Sequence, residues 1–461
     1  MSSCSDCSLL PGVSGANVFL NLDCNLDCPY CYVDKSQVRM SQENMQATID
    51  MLSEWARRHG GFFHIGFLGG EPFLRFPALR YVTDELEARS GRRISFTVTT
   101  NGTVLTDEIV EWVRSREIRL IVSCDGGEAA MQGRPYKRSG LGSYEKVAAS
   151  IRKLSEESVP FLVQMTITPM NCGALSHNLL HVVGLGARQV IFGLASSDSW
   201  TPDQRADLAR EMARVFEWYK QIYRDGKDVF LKFVQDEVTG YLIRRQQAGS
   251  EVACGMLNNV VAVSCAGGIY PCQSMVNFED QRVGHVAEGL DAARIRSAVL
   301  PVVDEMPRCN DCALRHYCRK CVALNRAWSP DILINPDVAC TAGMTSAVLC
   351  EEFATTLLAE KNERFLHDFA PALAISSGAI GGPRTEIGSA DDLTASLLAV
   401  GPLTSEEQLP AYLPGAYGVP EPLDSLPEWR PRKTVLSTGD GRGSFAFELG
   451  AYRHVHAEGG A

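Results

Sequence analysis

The sequence predicts an α/β protein built on a parallel sheet with its helices on the outside. Three observations carry this. Short apolar runs suited to buried strands alternate with stretches whose apolar residues recur at helical spacing, six times between residues 17 and 222. Each parallel return needs a crossover, which the intervening helices supply. After residue 250 the alternation gives way to a cysteine-rich segment, and from about residue 370 to one dense in proline. Periodicity alone does not separate an open doubly wound sheet from a barrel.

The first strand is Asn17 to Leu20, directly before a cysteine loop. Ser41 is placed as an N-cap, and Met45, Ile49, Leu52 and Trp55 share one helical face before Gly60-Gly61 stops the helix. Phe62 to Leu68 reads as a strand and Pro77 to Arg89 as a helix, with proline near its first turn and Gly91 past its end. Then follow strand Ile94–Thr99, helix Asp107–Arg116, strand Ile118–Ser123, helix Ser143–Glu157, strand Phe161–Ile167, helix Ala174–Val183 and strand Val190–Leu194. A long helix with Leu208, Met212, Val215, Phe216, Tyr219 and Ile222 on one face closes the series.

At 461 residues and 50.4 kDa the chain has room for two to three domains and a large core. Its 45% hydrophobic and 21% charged residues describe an ordinary globular protein. A formal net charge of -11 argues against a general binder of nucleic acid or of anionic membranes. The opening Met1 to Cys7 lacks the basic and apolar regions of a signal peptide, and no apolar run is long enough to span a bilayer, so a cytoplasmic protein is expected. Disulfides are disfavoured in that compartment, and metal binding is the better reading of the chain's 16 cysteines.

The grouping of those cysteines agrees. Cys24, Cys28 and Cys31 form a C-x3-C-x2-C loop with no fourth thiol nearby. Iron–sulfur clusters normally take four thiolates, so three in a tight loop suggest a site with one iron left open. A zinc loop is the alternative, although tetrahedral zinc favours four ligands in paired knuckles. Leu68-Gly69-Gly70-Glu71-Pro72 follows the second strand, where glycines let backbone approach a ligand and Glu71 adds an acceptor. Thr99-Thr100-Asn101-Gly102 ends the third strand and Ser123-Cys124-Asp125-Gly126 the fourth, either as hydrogen-bonding groups at one rim or as simple turns. Cys124 points the other way and reads as a small buried hydrophobe, and Asn171 after the fifth strand is a further candidate.

The cysteine triad followed by Gly69-Gly70-Glu71-Pro72 resembles the radical S-adenosylmethionine (SAM) superfamily. That resemblance implies a partial (β/α)6 TIM-like barrel over residues 17–235, with the cysteine loop at the C-terminal face. It implies that Cys24, Cys28 and Cys31 hold a [4Fe-4S] cluster whose open iron chelates SAM, and that Gly69, Gly70 and Glu71 hold the SAM amino group. Tyr30 would pack near the adenine, while Asn101, Ser123 and Asp125 would reach the ribose. SAM would be consumed, with an electron donor such as flavodoxin or ferredoxin.

Residues 236–365 hold a second cysteine field. Val260 to Val263 and Gly267 to Cys272 read as a hairpin between Cys254 and Cys272, followed by Cys309, Cys312, Cys318 and Cys321 as C-x2-C-x5-C-x2-C, then Cys340. Zinc knuckles fit these spacings too. The order resembles the SPASM domain, a C-terminal extension of radical SAM enzymes with two auxiliary [4Fe-4S] clusters. The resemblance assigns Cys254, Cys272 and Cys321 to the first, with Cys265 as a candidate fourth ligand, and Cys309, Cys312, Cys318 and Cys340 to the second. Two departures stand out. Cys318 and Cys321 are separated by two residues where three are usual, and Gln273 stands where sulfatase-maturing relatives have an aspartate thought to act as base. An amide cannot take up a proton at neutral pH. Cys172 and Cys350 match nothing and are expected to be free thiols.

At the two ends, residues 1–16 are expected to form a tail bearing the Cys4/Cys7 pair, and residues 366–461 a largely irregular Pro/Gly-rich extension with at most a short helix near Asp391 to Val400. With only about two dozen residues before Cys24, an N-terminal recognition domain of the kind some relatives carry is not expected.

The function expected is hydrogen abstraction from the side chain of a ribosomally made peptide or a protein by a 5'-deoxyadenosyl radical, giving an oxidative crosslink or related modification. The partner would be a precursor peptide, guided by a separate small leader-recognition protein, by the tail or by direct docking. Oxidation of a small molecule such as an aminoglycoside sugar is an alternative, as is sulfatase-type maturation. A non-catalytic electron carrier does not account for the open triad beside Gly69 to Pro72.

Overall fold

The computed structural model describes residues 13–59, 62–90, 94–195, 199–246, 260–297, 306–310, 312, 317–318, 320–370, 372–373, 444–448 and 451–455. Its first half is the expected alternation. In order come β1 (Gly15–Phe19), α1 (Gln42–His59), β2 (Phe63–Leu68), α2 (Phe76–Ser90), β3 (Ile94–Thr100), α3 (Asp107–Ser115), β4 (Arg119–Ser123), α4 (Tyr144–Glu156), β5 (Phe161–Ile167), α5 (Leu175–Gly184), β6 (Gln189–Leu194) and α6 (Pro202–Arg224). Local chemistry sets the helix starts. The Ser41 hydroxyl accepts from the Asn44 amide at 3.1 Å ahead of α1, Thr106 caps α3, and Thr201 with Gln204 forms a capping box before α6.

Neighbouring strands from β1 to β6 pair in parallel. One face of each strand is sealed by helices, with Phe63, Ile65 and Phe67 of β2 and Leu120 and Val122 of β4 fully buried. The opposite face is more polar. Asn17 and Gly66 meet there, where a Cβ on Gly66 would lie 2.2 Å from Asn17 Oδ1. His64 on the same face bonds Ser95 and Thr97, each at 3.1 Å.

Two features were not read from the sequence. A seventh unit, β7 (Phe230–Leu231) and α7 (Lys232–Gln246), follows α6, with β7 parallel to β6. The buried side of α7 mixes Val234, Val238 and Leu242 with Gln235 and Glu237, which blurs its periodic signal. The expected hairpin forms as β8 (Val260–Val263) and β9 (Gly268–Tyr270), but β8 also lies parallel to β1. The second cysteine field thus extends the barrel sheet, through β10 (Gly284–His285) and β11 (Gly289–Leu290), to eleven strands ordered β11-β10-β9-β8-β1-β2-β3-β4-β5-β6-β7. β8 covers what would otherwise be the exposed edge of the apolar β1.

After α8 (Ala292–Ser297) and α9 (Val322–Trp328), the long α10 (Asp337–Ala359) lies against α6 and α7, and α11 (Glu363–Asp368) crosses the boundary expected at residue 365. Phe365, Phe369 and Leu373 belong to the main core. The described part of the C-terminal extension is a hairpin, β12 (Ser444–Glu448) with β13 (Ala451–Val455), where the sequence reading expected no strand. Ser444 to Val455 contains no proline, so the argument from proline density does not reach it. The helix expected near Asp391 to Val400 lies outside the described residues, as do Cys4 and Cys7. No helix among the described residues is long and apolar enough to cross a membrane.

Phe353 ties α10 to the barrel. It is fully buried between Tyr219, stacked at 5.9 Å, Tyr223 at 5.6 Å and Phe365 at 6.0 Å. Replacing Phe353 by alanine is expected to cost about 3–5 kcal/mol in urea unfolding and to loosen α10, which carries Cys340.

Candidate active site

The cysteine loop leaves β1 at its C-terminal end and is held there by the turn after β2. The Gly70 amide donates to Asn21 O at 3.0 Å and the Glu71 amide to Asp23 O at 2.7 Å. Asn21, fully buried, donates back to Asp23 O at 3.0 Å and Glu71 O at 3.1 Å. The contact is so close that a Cβ on Gly69 would sit 2.1 Å from Asn21 O, and one on Gly70 2.0 Å from Asp23 O. Gly69 also takes φ 142°, which favours glycine. The glycines were expected to admit a ligand; what they visibly admit is the backbone of the cysteine loop.

Glu71 is likewise turned inward. Its carboxylate accepts from the Phe73 amide at 3.1 Å, the Asn101 amide at 2.7 Å and the Thr100 hydroxyl at 2.9 Å. It is fully buried, and burial pushes its acid up to about 7 against those donors. The carboxylate therefore ties the turn after β2 to the end of β3.

Asn101 continues the brace. Its amide nitrogen lies 2.8 Å from Asn25 Oδ1 and 3.8 Å from Cys24 Sγ, while its oxygen accepts from Thr103. Asp125, the other acidic candidate for the ribose, is 1% exposed with both oxygens engaged. It pairs with Arg134 at 2.8 and 3.0 Å, accepts the Thr166 amide at 2.8 Å and receives the Tyr30 hydroxyl. Tyr30 is thereby fastened to β4, under the Arg134 guanidinium 5.5 Å from its ring centre. A buried carboxylate needs such a partner. Ser123 differs: it is half-buried, and its hydroxyl makes no hydrogen bond among the described residues. Asn171 closes its own loop through Thr166 O and the Thr168 amide.

The three loop thiols are half-buried and free; Cys31 adds to the rise of the Cys24 thiol, and Cys31 and Cys24 to that of Cys28. Burial raises the Cys24 thiol and pushes Cys28 up to about 11, with Arg134 and Lys35 pulling the latter down. The Leu26 amide points at Cys24 Sγ from 3.4 Å. Three thiols with N–H donors aimed at sulfur suit an iron–sulfur cluster. No three His, Cys, Asp or Glu side chains among the described residues are gathered for a single metal ion.

In the second field Cys309 is buried and Cys312, Cys318 and Cys340 are half-buried. Burial raises the Cys309, Cys318 and Cys340 thiols, and the neighbouring cysteines add to it: Cys312 on Cys309, Cys340 and Cys309 on Cys318, and Cys309 and Cys312 on Cys340. Burial pushes the Cys318 thiol up to about 12. The other set is not assembled among the described residues. Cys254 lies outside them. Cys265, 4% exposed, donates its thiol to Phe19 O at 3.1 Å, on β1. Cys321 is exposed and caps α9, accepting from Leu324 N at 3.4 Å. Cys272 packs against the same small apolar cluster as Val322, the neighbour of Cys321. Cys124, Cys172 and Cys350 are buried and in no disulfide.

Comparison with known proteins decides the family. Residues 20–171 match the Radical SAM superfamily. That segment is a Radical SAM domain. The chain is an enzyme, and its family works with a [4Fe-4S] cluster and SAM. Among its relatives, the AdoMet-dependent heme synthase of Methanosarcina barkeri is 26% identical over 350 residues, 68% of this chain and 92% of the relative. The serine-type anaerobic sulfatase-maturating enzyme of Klebsiella aerogenes is 24% identical over 311 residues, 65% and 74% respectively. The solved structure of native anSMEcpe with bound AdoMet and the Cp18Cys peptide shares the fold at a TM-score of 0.62 and 16% identity, covering 76% of this chain and 99% of that one. Streptococcus suis SuiB bound to precursor peptide SuiA aligns at a TM-score of 0.50 and 13% identity over 71% of this chain and 76% of SuiB.

Sequence reasoning missed Asn21, Asn25 and Arg134, whose single polar letters carry no spacing signal; only the structure shows them reaching the loop or its tether. If the clamp of glycine on loop is what places the thiols, Gly70→Ala should cost about 1–3 kcal/mol and the reconstituted protein should lose the irons of this loop alone. Cys24→Ala, Cys28→Ala and Cys31→Ala should each abolish SAM cleavage while the fold persists, as read by circular dichroism and 5'-deoxyadenosine release.

Proposed function

We propose that this enzyme oxidatively modifies the side chains of a ribosomally made peptide or of a protein, with Cys24, Cys28 and Cys31 holding the SAM-binding cluster and Cys309, Cys312, Cys318 and Cys340 an auxiliary one. Bound at the loop, a [4Fe-4S] cluster supplies the electron that splits SAM to methionine and a 5'-deoxyadenosyl radical. The reading is supported by the second thiol group: Cys309, buried, and Cys312, Cys318 and Cys340, half-buried, act on one another electrostatically and follow a hairpin hydrogen-bonded to β1, the strand that leads into the cysteine loop. An oxidation must pass an electron onward after hydrogen abstraction, and a second iron–sulfur site in the same sheet gives it a destination. Cys254, Cys272 and Cys321 complete the proposal as ligands of a further auxiliary cluster.

The chain's own residues orient and exclude. Asn21, Glu71 and Asn101 hold the loop; Tyr30, fastened by Asp125 and Arg134, forms a wall beside it; Ser123 offers an unengaged hydroxyl at the same strand ends. Gln273 faces the barrel, its Oε1 accepting from Asn17 at 3.0 Å. The bound peptides in anSMEcpe and SuiB support a peptide substrate, with an electron donor and a leader-recognition protein as further expected partners.

Sulfatase-type maturation is the second reading, favoured by the Klebsiella aerogenes relative and by anSMEcpe. It is opposed by Gln273, an amide that takes no proton and is already bonded to Asn17. One assay separates them. The anaerobically reconstituted, reduced enzyme is given SAM and, in turn, the short peptides encoded beside its gene and a sulfatase-type peptide bearing Ser or Cys. The expected result is a neighbouring peptide that loses two hydrogens, with deuterium passing from it into 5'-deoxyadenosine. Conversion of only the sulfatase peptide to formylglycine would transfer the function to the second reading, and no change in any peptide alongside brisk SAM cleavage would contradict both.

A further inference from the structure

The connection from β4 to α4 folds back on itself beside the cysteine loop. Pro135 bridges to Gly142, the Tyr136 amide donates to Leu141 O at 2.8 Å, and the Gly140 amide donates to Tyr136 O at 2.8 Å. Gly140 closes the turn at φ 68°, a conformation that favours glycine. The incoming arm of this small hairpin runs antiparallel to the cysteine loop. The Asp27 amide donates to Pro135 O and the Lys137 amide to Asn25 O, each at 2.9 Å, and Leu26 bridges to Tyr136. Asn25 and Asp27 are the chain neighbours of Cys24 and Cys28, so the hairpin is fixed by backbone to the segment that carries the thiols.

The tip, residues 137–142, is exposed throughout, with Leu141 68% exposed. Lys137 and Arg138 make no ion pair and no side-chain hydrogen bond among the described residues. The other cations around the loop are engaged. Lys35 donates to Cys28 O at 2.9 Å and lies 3.5 Å from Asp27, Arg39 pairs with Asp23 at 2.8 Å, and Arg134 pairs with Asp125. On a chain of net charge -11, an acidic protein is repelled in general and attracted at such a tip.

We propose that the tip Lys137 to Leu141 is the docking surface for the protein that reduces this enzyme, a small acidic one-electron carrier of the flavodoxin type. The inference rests on the reading above, in which an electron must reach the cysteine loop before SAM is split. A substrate has to reach the strand ends, whereas a reductant needs only an outer surface close to the loop, and electron transfer slows steeply with distance. The step is a single electron leaving the reduced carrier and entering the cluster, with no bond made or broken. Lys137 and Arg138 steer and hold the carrier, which makes docking sensitive to salt, and Leu141 gives the contact an apolar centre.

The test measures binding of a bacterial flavodoxin to the full-length enzyme, with and without reconstituted iron, and then 5'-deoxyadenosine release driven either by reduced flavodoxin or by dithionite. The double variant Lys137→Glu with Arg138→Glu is expected to bind flavodoxin about tenfold more weakly at low salt and to lose the salt dependence shown by the unaltered enzyme. Its flavodoxin-driven release should fall by a similar factor while its dithionite-driven release stays unchanged. Lys137→Arg with Arg138→Lys should behave like the unaltered enzyme, and Leu141→Ser should weaken binding without changing the salt dependence. Unchanged binding and flavodoxin-driven release in the double variant overturn the proposal, as does an unaltered enzyme that does not bind flavodoxin. An equal loss with dithionite overturns it too, by placing these residues in the reaction itself. A normal flavodoxin response with lost binding of the neighbouring-gene peptides assigns the tip to the substrate and also overturns it. Failure of the underlying reading shows separately, as an unaltered, iron-loaded enzyme that splits no SAM even with dithionite, and the binding comparison then still decides the docking claim.

Discussion

The site depends on two backbone hydrogen bonds, from Gly70 to Asn21 O and from Glu71 to Asp23 O. They join the end of β2 to the segment between β1 and the first cysteine, and they are possible only because residues 69 and 70 carry no side chain. From that joint the loop's geometry follows outward. Glu71 bonds the end of β3, Asn101 at that end reaches Asn25 and Cys24, and Tyr30 is tied through Asp125 to β4. Three successive strand ends thus hold one loop of thiols, the kind of multipoint support that a reactive centre requires.

The second cysteine field is not a separate appendage. β8 lies beside β1, the Cys265 thiol in the β8–β9 turn donates to Phe19 O, and Gln273 reaches Asn17. Each of these contacts ends on β1. The strand that delivers the cysteine loop is therefore also the strand that receives the auxiliary segment, which fixes the two thiol groups relative to one another through one shared piece of sheet. α10 closes the arrangement from the other side, bringing Cys340 near Cys309 and Cys318 while its far end is seated on the aromatic cluster of α6 and α11.

Much of this was legible beforehand, and the reasons for the rest are physical. Strands β1 to β6 and their helices were readable because each buries one clean apolar face; α7 was not, since Gln235 and Glu237 lie among its buried residues. The motif Gly69 to Pro72 was found by its letters, but its mechanical role was not read, because spacing cannot show that another loop occupies the space a Cβ would fill. Asp125 looked like a free carboxylate until Arg134, nine residues later, was seen to lie against it. Cys309, Cys312, Cys318 and Cys340 were grouped by their resemblance to the SPASM domain, whereas the contact of the Cys265 thiol with Phe19 O had no signal in the sequence. The docking of β8 on β1 joins residues more than two hundred apart, a pairing no local pattern encodes.

The account's central claim is that the three loop thiols leave one cluster iron open and that SAM occupies it. The most direct measurement is electron–nuclear double resonance on the reduced, reconstituted enzyme with SAM labelled by 15N at the amino group and 17O at the carboxylate. The account predicts coupling of both labels to a cluster whose signal disappears in Cys28→Ala protein. A spectrum without coupling from either label, in enzyme that has taken up about twelve irons, would contradict it.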